Sequence, residues 1–202
     1  MATSSLTKFT VPVPADNPSQ GLLMPKLKYR FRALFTTFGV SANTTELTKQ
    51  VVDIKRPNVN FNPFVIDVYN SKINLIGKPE WQETTINLRD DATGAVSKLV
   101  GEQVQKQFDF QEQSSAPSGI NYKFSLTYEV LDGGNGANTP TVLEAWELEG
   151  CLISSVDWGE MAYSGNEAVQ IALQIKFDNA TQTTGGGVGT SVITQTPGDT
   201  VN

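Results

Sequence analysis

Pro57-Asn58-Val59-Asn60-Phe61-Asn62-Pro63-Phe64-Val65-Ile66-Asp67-Val68-Tyr69-Asn70-Ser71-Lys72-Ile73-Asn74-Leu75-Ile76-Gly77-Lys78-Pro79 is the stretch on which the fold turns. It is too long for a connection, since structureless loops beyond roughly 12–15 residues are uncommon in compact domains. It is also too apolar for a solvated loop. Phe64, Ile66 and Val68 alternate on one side, Ile73 and Leu75 resume after a polar break, and Asn70-Ser71 sits where a hairpin turns. Proline has no N–H to give to a central strand, so Pro57, Pro63 and Pro79 belong at edges or hinges. The stretch predicts a long β-hairpin arm over 57–79. A lone hairpin is marginal in water, so the arm must lie on something: its own domain or another subunit.

The rest of the chain sets bounds. At 202 residues it can bury one full core with loose ends. No apolar run approaches the roughly 20 residues of a membrane span. The start, Met1-Ala2-Thr3-Ser4-Ser5, shows no signal peptide, so synthesis in a cytoplasm is expected. There is no histidine and one cysteine, Cys151. Ser–His and Cys–His catalytic pairs, His-ligated metals and an intramolecular disulfide are thereby excluded. Phosphate-loop and dinucleotide glycine motifs are absent. No cofactor, metal site or enzymatic activity is expected.

The net charge of −6 is unevenly spread: residues 1–78 carry +6 and residues 79–202 carry −12. This fits pairing between the two halves within one molecule. It also fits a polar molecule whose positive surface meets the negative surface of an identical neighbour, a heterologous contact that builds rings or filaments.

Residues 1–21 are rich in Ser, Thr, Pro, Asn and Ala and read as an extended N-terminal arm. From Leu27 to Phe35 the chain alternates, with Leu27, Tyr29, Phe31, Ala33 and Phe35 on one face and Lys28, Arg30 and Arg32 on the other. Those three cations are either solvated, paired with acidic neighbours, or candidates for contacts between subunits. Leu47–Ile54 reads as a second strand, and Trp81–Leu88 as the strand after the arm. Asp90-Asp91 then opens a helix of about 91–108, whose apolar stripe is Val96, Leu99, Val100, Val104 and Phe108, with Lys98, Glu102 and Lys106 toward solvent. Tyr122–Val130, Val142–Ile153 and Val169–Phe177 are further strands. In the second of these, Glu147 and Glu149 share a face opposite Trp146 and Leu148. Beyond Ala180 the composition turns to Thr, Gly, Gln and Ser, and 181–202 reads as a flexible tail. The order predicts a mainly β fold, a mostly antiparallel sheet with one α-helix packed against it and a long hairpin arm.

This order resembles the tail tube protein of contractile-tailed bacteriophages. The features that carry the resemblance are the strand Leu27–Phe35, the Pro-bounded arm, the run Trp81-Gln82-Glu83-Thr84-Thr85-Ile86-Asn87-Leu88-Arg89-Asp90-Asp91 leading into the helix, and Trp146-Glu147-Leu148-Glu149-Gly150-Cys151-Leu152-Ile153 followed by Asn166–Phe177. The resemblance, over roughly 22–180, implies an antiparallel β-barrel or sandwich subunit with one flanking α-helix, a structural virion protein forming hexameric rings stacked head to tail into a hollow tube inside a sheath. Its implied partners are copies of itself and sheath, baseplate and terminator proteins, with DNA passing through the lumen without tight binding. It also implies that the arm bridges rings, through Phe61, Phe64, Ile66, Val68, Tyr69, Ile73 and Leu75. Glu147 and Glu149 are candidates for the lumen or an interface. Two other readings stay open: a tube or tube-cap protein of a bacterial contractile injection system, and a monomeric β-sandwich binding module with Trp81, Trp146 or Trp158 as stacking platforms.

Overall fold

The computed structural model describes residues 5–6, 22–23, 25–41, 44–117, 120–133, 139–185 and 187–190. In chain order the elements are β1 (Ser5–Leu6), β2 (Leu22–Leu23), β3 (Phe31–Thr36), α1 (Thr45–Gln50), β4 (Val51–Ile54), β5 (Asn58–Phe61), β6 (Phe64–Val68), β7 (Ser71–Leu75), β8 (Pro79–Gln82), β9 (Thr84–Arg89), α2 (Ala95–Gln107), β10 (Phe108–Asp109), β11 (Ser114–Ser115), β12 (Phe124–Leu131), β13 (Val142–Asp157), β14 (Gln170–Lys176) and β15 (Asn179–Thr184). The main sheet runs β3-β12-β13-β14-β9-β4, with β15 also paired to β13, and every pairing is antiparallel.

Alternation builds this sheet. In β12, Phe124, Leu126, Tyr128 and Val130 are buried, and their register partners Phe35 and Ala33 on β3 and Leu148 on β13 are buried with them. Ile86 and Leu88 of β9 and Ile171, Leu173 and Ile175 of β14 supply the facing wall. Edge-on ring contacts tie Phe38 to Phe35 (5.3 Å) and to Phe124 (4.9 Å).

The sixteen-residue β13 turns the corner between the two walls. Residues before Gly150 lie between β12 and β15, and residues after Cys151 pair with β14. Gly150 sits at φ +66°, and a Cβ there would come 2.1 Å from the Asp178 carboxylate. Only glycine fits both demands. Past the corner β13 loses its partner β12, and Gln107 of α2 substitutes for it. The Gln107 side chain accepts from the Ile153 N–H (2.9 Å) and donates to the Ile153 carbonyl (3.0 Å). Gln103, fully buried, likewise accepts from Gly39 N–H (2.8 Å) and donates to the Tyr122 carbonyl (2.7 Å). Polar side chains are thus placed on an apolar helix face because buried backbone groups need partners.

Several expectations are corrected. The strand expected from Leu27 starts at Phe31; the Arg30 N–H closes a turn on the Leu27 carbonyl (3.2 Å), and Tyr29 is 72% exposed rather than inward. Leu47–Ile54 is not one strand. Thr45–Gln50 is a short helix, buried at Leu47, whose Glu46 and Lys49 pair at 2.8 Å, and only Val51–Ile54 is extended. Among the described residues this short helix, α1, stands beside the expected flanking helix, α2. The Trp81–Leu88 strand breaks at Glu83, and Trp81 joins the arm through β8. α2 begins at Ala95 because Asp91 first closes a turn, its carbonyl accepting from Gly94 N–H (3.0 Å) and its carboxylate from Ala95 N–H (2.9 Å).

Glu102 and Lys106 are not solvent-facing: both hold the turn before α1. Glu102 accepts from Val40 and Ser41 N–H and the Ser41 hydroxyl, and Lys106 donates to the Thr37 and Gly39 carbonyls. Those donors, the Ser41 N–H foremost, hold the Glu102 carboxyl below its ordinary pKa.

The flexible tail expected over 181–202 is corrected where it can be seen: residues 181–184 belong to β15, with Ala180 buried beside Leu148. Thr is β-branched and suits a pleated surface, so a Thr-rich run is not evidence for a tail. Residues 191–202 lie outside the described residues. So does the expected N-terminal arm, save Ser5–Leu6, which pairs with Leu22–Leu23.

Candidate assembly interface

The arm is built in two tiers. β5 pairs with β8, and beyond Pro63 β6 pairs with β7. Val68 opposes Ser71, so the tip is the two-residue turn Tyr69-Asn70, one residue earlier than the expected Asn70-Ser71. Tyr69 takes φ +40° there and is fully exposed. Register places Phe64 against Leu75 and Ile66 against Ile73, so Phe64, Ile66, Val68, Ile73 and Leu75 form one apolar face. Every residue of β6 and β7 is exposed, and Phe61, Phe64, Ile66, Val68, Ile73 and Leu75 stand 40–52% open. The far side carries the Asp67–Lys72 ion pair (3.4 Å).

The main sheet offers the opposite chemistry. On the outer face of its β3-β12-β13-β15 wall, Leu34, Thr127, Glu147 and Thr181 lie in one row across four strands, and Glu149 sits beside Asn179. Glu147 and Glu149 thus share that face as expected, away from the buried Leu148.

The three cations of the first strand part company. Arg32 Nε pairs with Glu129 across β3 and β12. Arg30 donates to the Asp132 carbonyl (2.5 Å) and lies over the Tyr29 ring at 5.5 Å. Lys28 is exposed. All three have a place beside a cleft of about 670 Å³ or its neighbour, between the β3 and β4 edges, lined also by Asp53, Arg56 and Tyr128.

Behind that cleft lies a buried acid absent from the expectations. Glu144 is 5% exposed, salt-bridged to Lys26, 3.8 Å from Arg56, and accepts from Trp146 Nε1 (2.7 Å). Burial pushes its carboxyl up, but Lys26, Trp146 and Arg56 together hold it below the ordinary value. The signal was in the parity: Glu144 is two residues from Trp146 and four from Leu148, so it shares their inward face. Trp146 itself stacks on Tyr128 (6.5 Å, 11°), and Trp81 packs on Phe177 (5.7 Å). Neither is an open stacking platform. Among the described residues, no cluster of three or more His, Cys, Asp or Glu could hold a metal, and no helix is long and apolar enough to cross a membrane.

Solved structures share this architecture. A chain of the anti-feeding prophage cap, a tube-terminating cap, superposes with a TM-score of 0.58 over 86% of this chain and 99% of that one, at 16% identity. The fold is shared with that cap chain. The sheath–tube complex of an extracellular contractile injection system in its extended state supplies another neighbour, with a TM-score of 0.54 over 79% and 92% of the two chains at 13% identity. A chain of the six-fold symmetrised anti-feeding prophage baseplate gives 0.50 over 80% and 97% at 10% identity. No protein-family model matches the chain, and no curated protein matches it in sequence. The three solved chains share the fold with this one at 10–16% identity.

Proposed function

We infer that this chain is a structural tube subunit that forms hexameric rings, stacked head to tail into the hollow inner tube of a contractile phage tail. The observation that carries the reading is the arm: twenty-odd residues holding an apolar face that none of the described residues covers. An exposed patch of this kind on a well-folded chain marks an interaction surface. In the proposed assembly Phe61, Phe64, Ile66, Val68, Tyr69, Ile73 and Leu75 engage a neighbouring ring. Lys28, Arg30 and Arg32 steer contacts between subunits, and the Glu147–Glu149 face lines the lumen through which DNA passes. The partners are copies of itself, then sheath, baseplate and terminator proteins; the place is the virion tail, assembled in the host cytoplasm.

A second reading is favoured by the likeness to the tube-terminating cap: a subunit that makes one ring and ends a tube, in a phage or an injection system. Negative-stain microscopy of the purified protein across a range of salt separates the two. Stacked tubes are expected, and single rings that do not propagate would mean a cap. High salt should slow assembly, since exposed charges are screened beyond roughly 8–10 Å at physiological ionic strength. A protein that stays monomeric at high concentration in every salt overturns both.

A further inference from the structure

We propose that the β13–β14 connection, residues 158–169, is the seat for the arm of the next copy. This rests on the tube reading and names the acceptor within it. The arm enters β9 at Thr84, and the register Gln170↔Arg89 puts the 158–169 loop at its other end. The two features leave opposite ends of one six-residue strand, on the order of 17 Å apart at a rise of roughly 3.3 Å per residue. A donor and an acceptor at opposite ends of one subunit make a heterologous contact, which repeats without closing and yields a stack.

The chemistry of the two ends matches. The loop exposes three large apolar side chains in six residues: Trp158 (46%), Met161 (85%) and Tyr163 (fully). Trp158 also lines a groove of about 340 Å³ with Val104, Phe108 and Val156. Met and aromatic side chains are adaptable anchors for an aliphatic face, and the arm offers Phe64, Ile66, Val68, Ile73 and Leu75. The charges are complementary too. Residues 157–169 hold Asp157, Glu160 and Glu167 and no Lys or Arg, while residues 55–82 hold Lys55, Arg56, Lys72 and Lys78 against Asp67 and Glu80. Local backbone bonds hold the loop in shape: Gly159 N–H donates to the Asp157 carboxylate (3.0 Å) and Gly165 N–H to the Ala162 carbonyl (3.2 Å).

The test uses the full chain. One preparation carries Ile66→Cys and another Met161→Cys. The native Cys151 is buried, with its thiol pushed up to about 12 by that burial, and does not compete. The two are mixed, assembled and treated with a short bismaleimide. A cross-linked dimer is expected from the mixture and from neither preparation alone. Separately, Trp158→Ala/Met161→Ser/Tyr163→Ser should melt as wild type yet need at least tenfold more protein to form tubes. Tubes of wild-type dimensions without the cross-link, or a folded triple variant assembling as wild type, overturn this assignment and leave the tube reading standing. Should the triple variant fail to fold, the single-cysteine mixture decides alone. A wild-type chain that never assembles overturns both.

Discussion

β12 and the β6–β7 hairpin are written in the same code and meet opposite fates. Phe124, Leu126, Tyr128 and Val130 alternate with polar residues and are 0–5% exposed; Phe64, Ile66 and Val68 likewise share one face, opposite Val65 and Asp67, and are 43–52% exposed. Period-2 alternation states that a strand has one apolar face. It does not state whose atoms cover it. β12 is covered by the core it shares with β9, β14 and α2 of the same chain; the arm's apolar face is left open by the described residues.

The harshest way to break this comparison is to remove the arm. Deleting residues 58–78 should leave thermal melting of the subunit close to wild type and abolish stacking. The arm's strands pair only with one another, β5 with β8 and β6 with β7, so the main sheet loses no ladder. Circular dichroism and microscopy read the two outcomes. Loss of the folded signal would make the arm part of its own core and erase the distinction.

Single side chains sharpen it. Leu99 is 4% exposed in the core cluster with Val96 and Val100. Leu99→Ala should cost about 2–5 kcal/mol of subunit stability. Ile66→Ala, on the arm, should change the unassembled subunit by no more than about 0.5 kcal/mol while weakening assembly. Equal shifts in the denaturant midpoints of the two variants would show that both strands are covered alike.

This contrast also marks how far the sequence could be read. The β12 pattern, the hairpin at 64–75 and the stripe Val96-Leu99-Val100 were legible because each side chain advertises its environment by itself. What was illegible depends on partners. Leu47–Ile54 alternates tolerably, but Glu46 and Lys49 could choose a helix because only Leu47 needed burying. The run after Ala180 looked like a tail until β13 was found to have a vacant edge there. Gln103 joins the Gly39 N–H to the Tyr122 carbonyl and Gln107 takes both groups of Ile153, and no spacing announces either role. The arm was visible as an unmet need and Trp158 as an isolated aromatic, whereas Met161 and Tyr163 lie in a connection without periodicity.

Ion pairs repeat the comparison on a smaller scale. Glu144, with its side chain 7% exposed, is held by Lys26 and Arg56, while Asp67 and Lys72 of the arm are 77% and 74% exposed. The Glu144 carboxyl lies below its ordinary value in the folded chain. Its contribution is therefore present above the unfolded carboxyl pKa, roughly 4.3, and is lost as pH falls through the lower folded one. Glu144→Gln should cost about 1–3 kcal/mol at neutral pH and flatten the acid limb of the stability curve. Asp67→Asn should cost about 0–1 kcal/mol. Urea midpoints taken from pH 7 to pH 3 would show both, and an unchanged acid limb in Glu144→Gln would remove this pair from the account.

The smallest expected effect on the subunit itself concerns the one broad surface that is uncovered and polar. The outer face bearing Glu147 and Glu149 needs no partner for its own stability. Glu147→Lys with Glu149→Lys should therefore shift the melting free energy by no more than about 0.5 kcal/mol per site. Its consequence would appear only in the assembled tube. A channel that passes DNA gains nothing from holding it, because every phosphate contact formed must be broken again, and added lysines form such contacts with release of counterions. Inside a narrow channel the field of each ring of charges is focused rather than dissipated, and a six-fold ring would multiply each substitution by about six. The double variant should assemble normally and slow DNA ejection from virions, measured against wild type at matched salt, with the delay shrinking as salt rises. Normal ejection through well-formed tubes would take these glutamates out of the lumen. Failure to assemble would place them between subunits, and the uncovered polar face would then belong with the arm rather than in contrast to it.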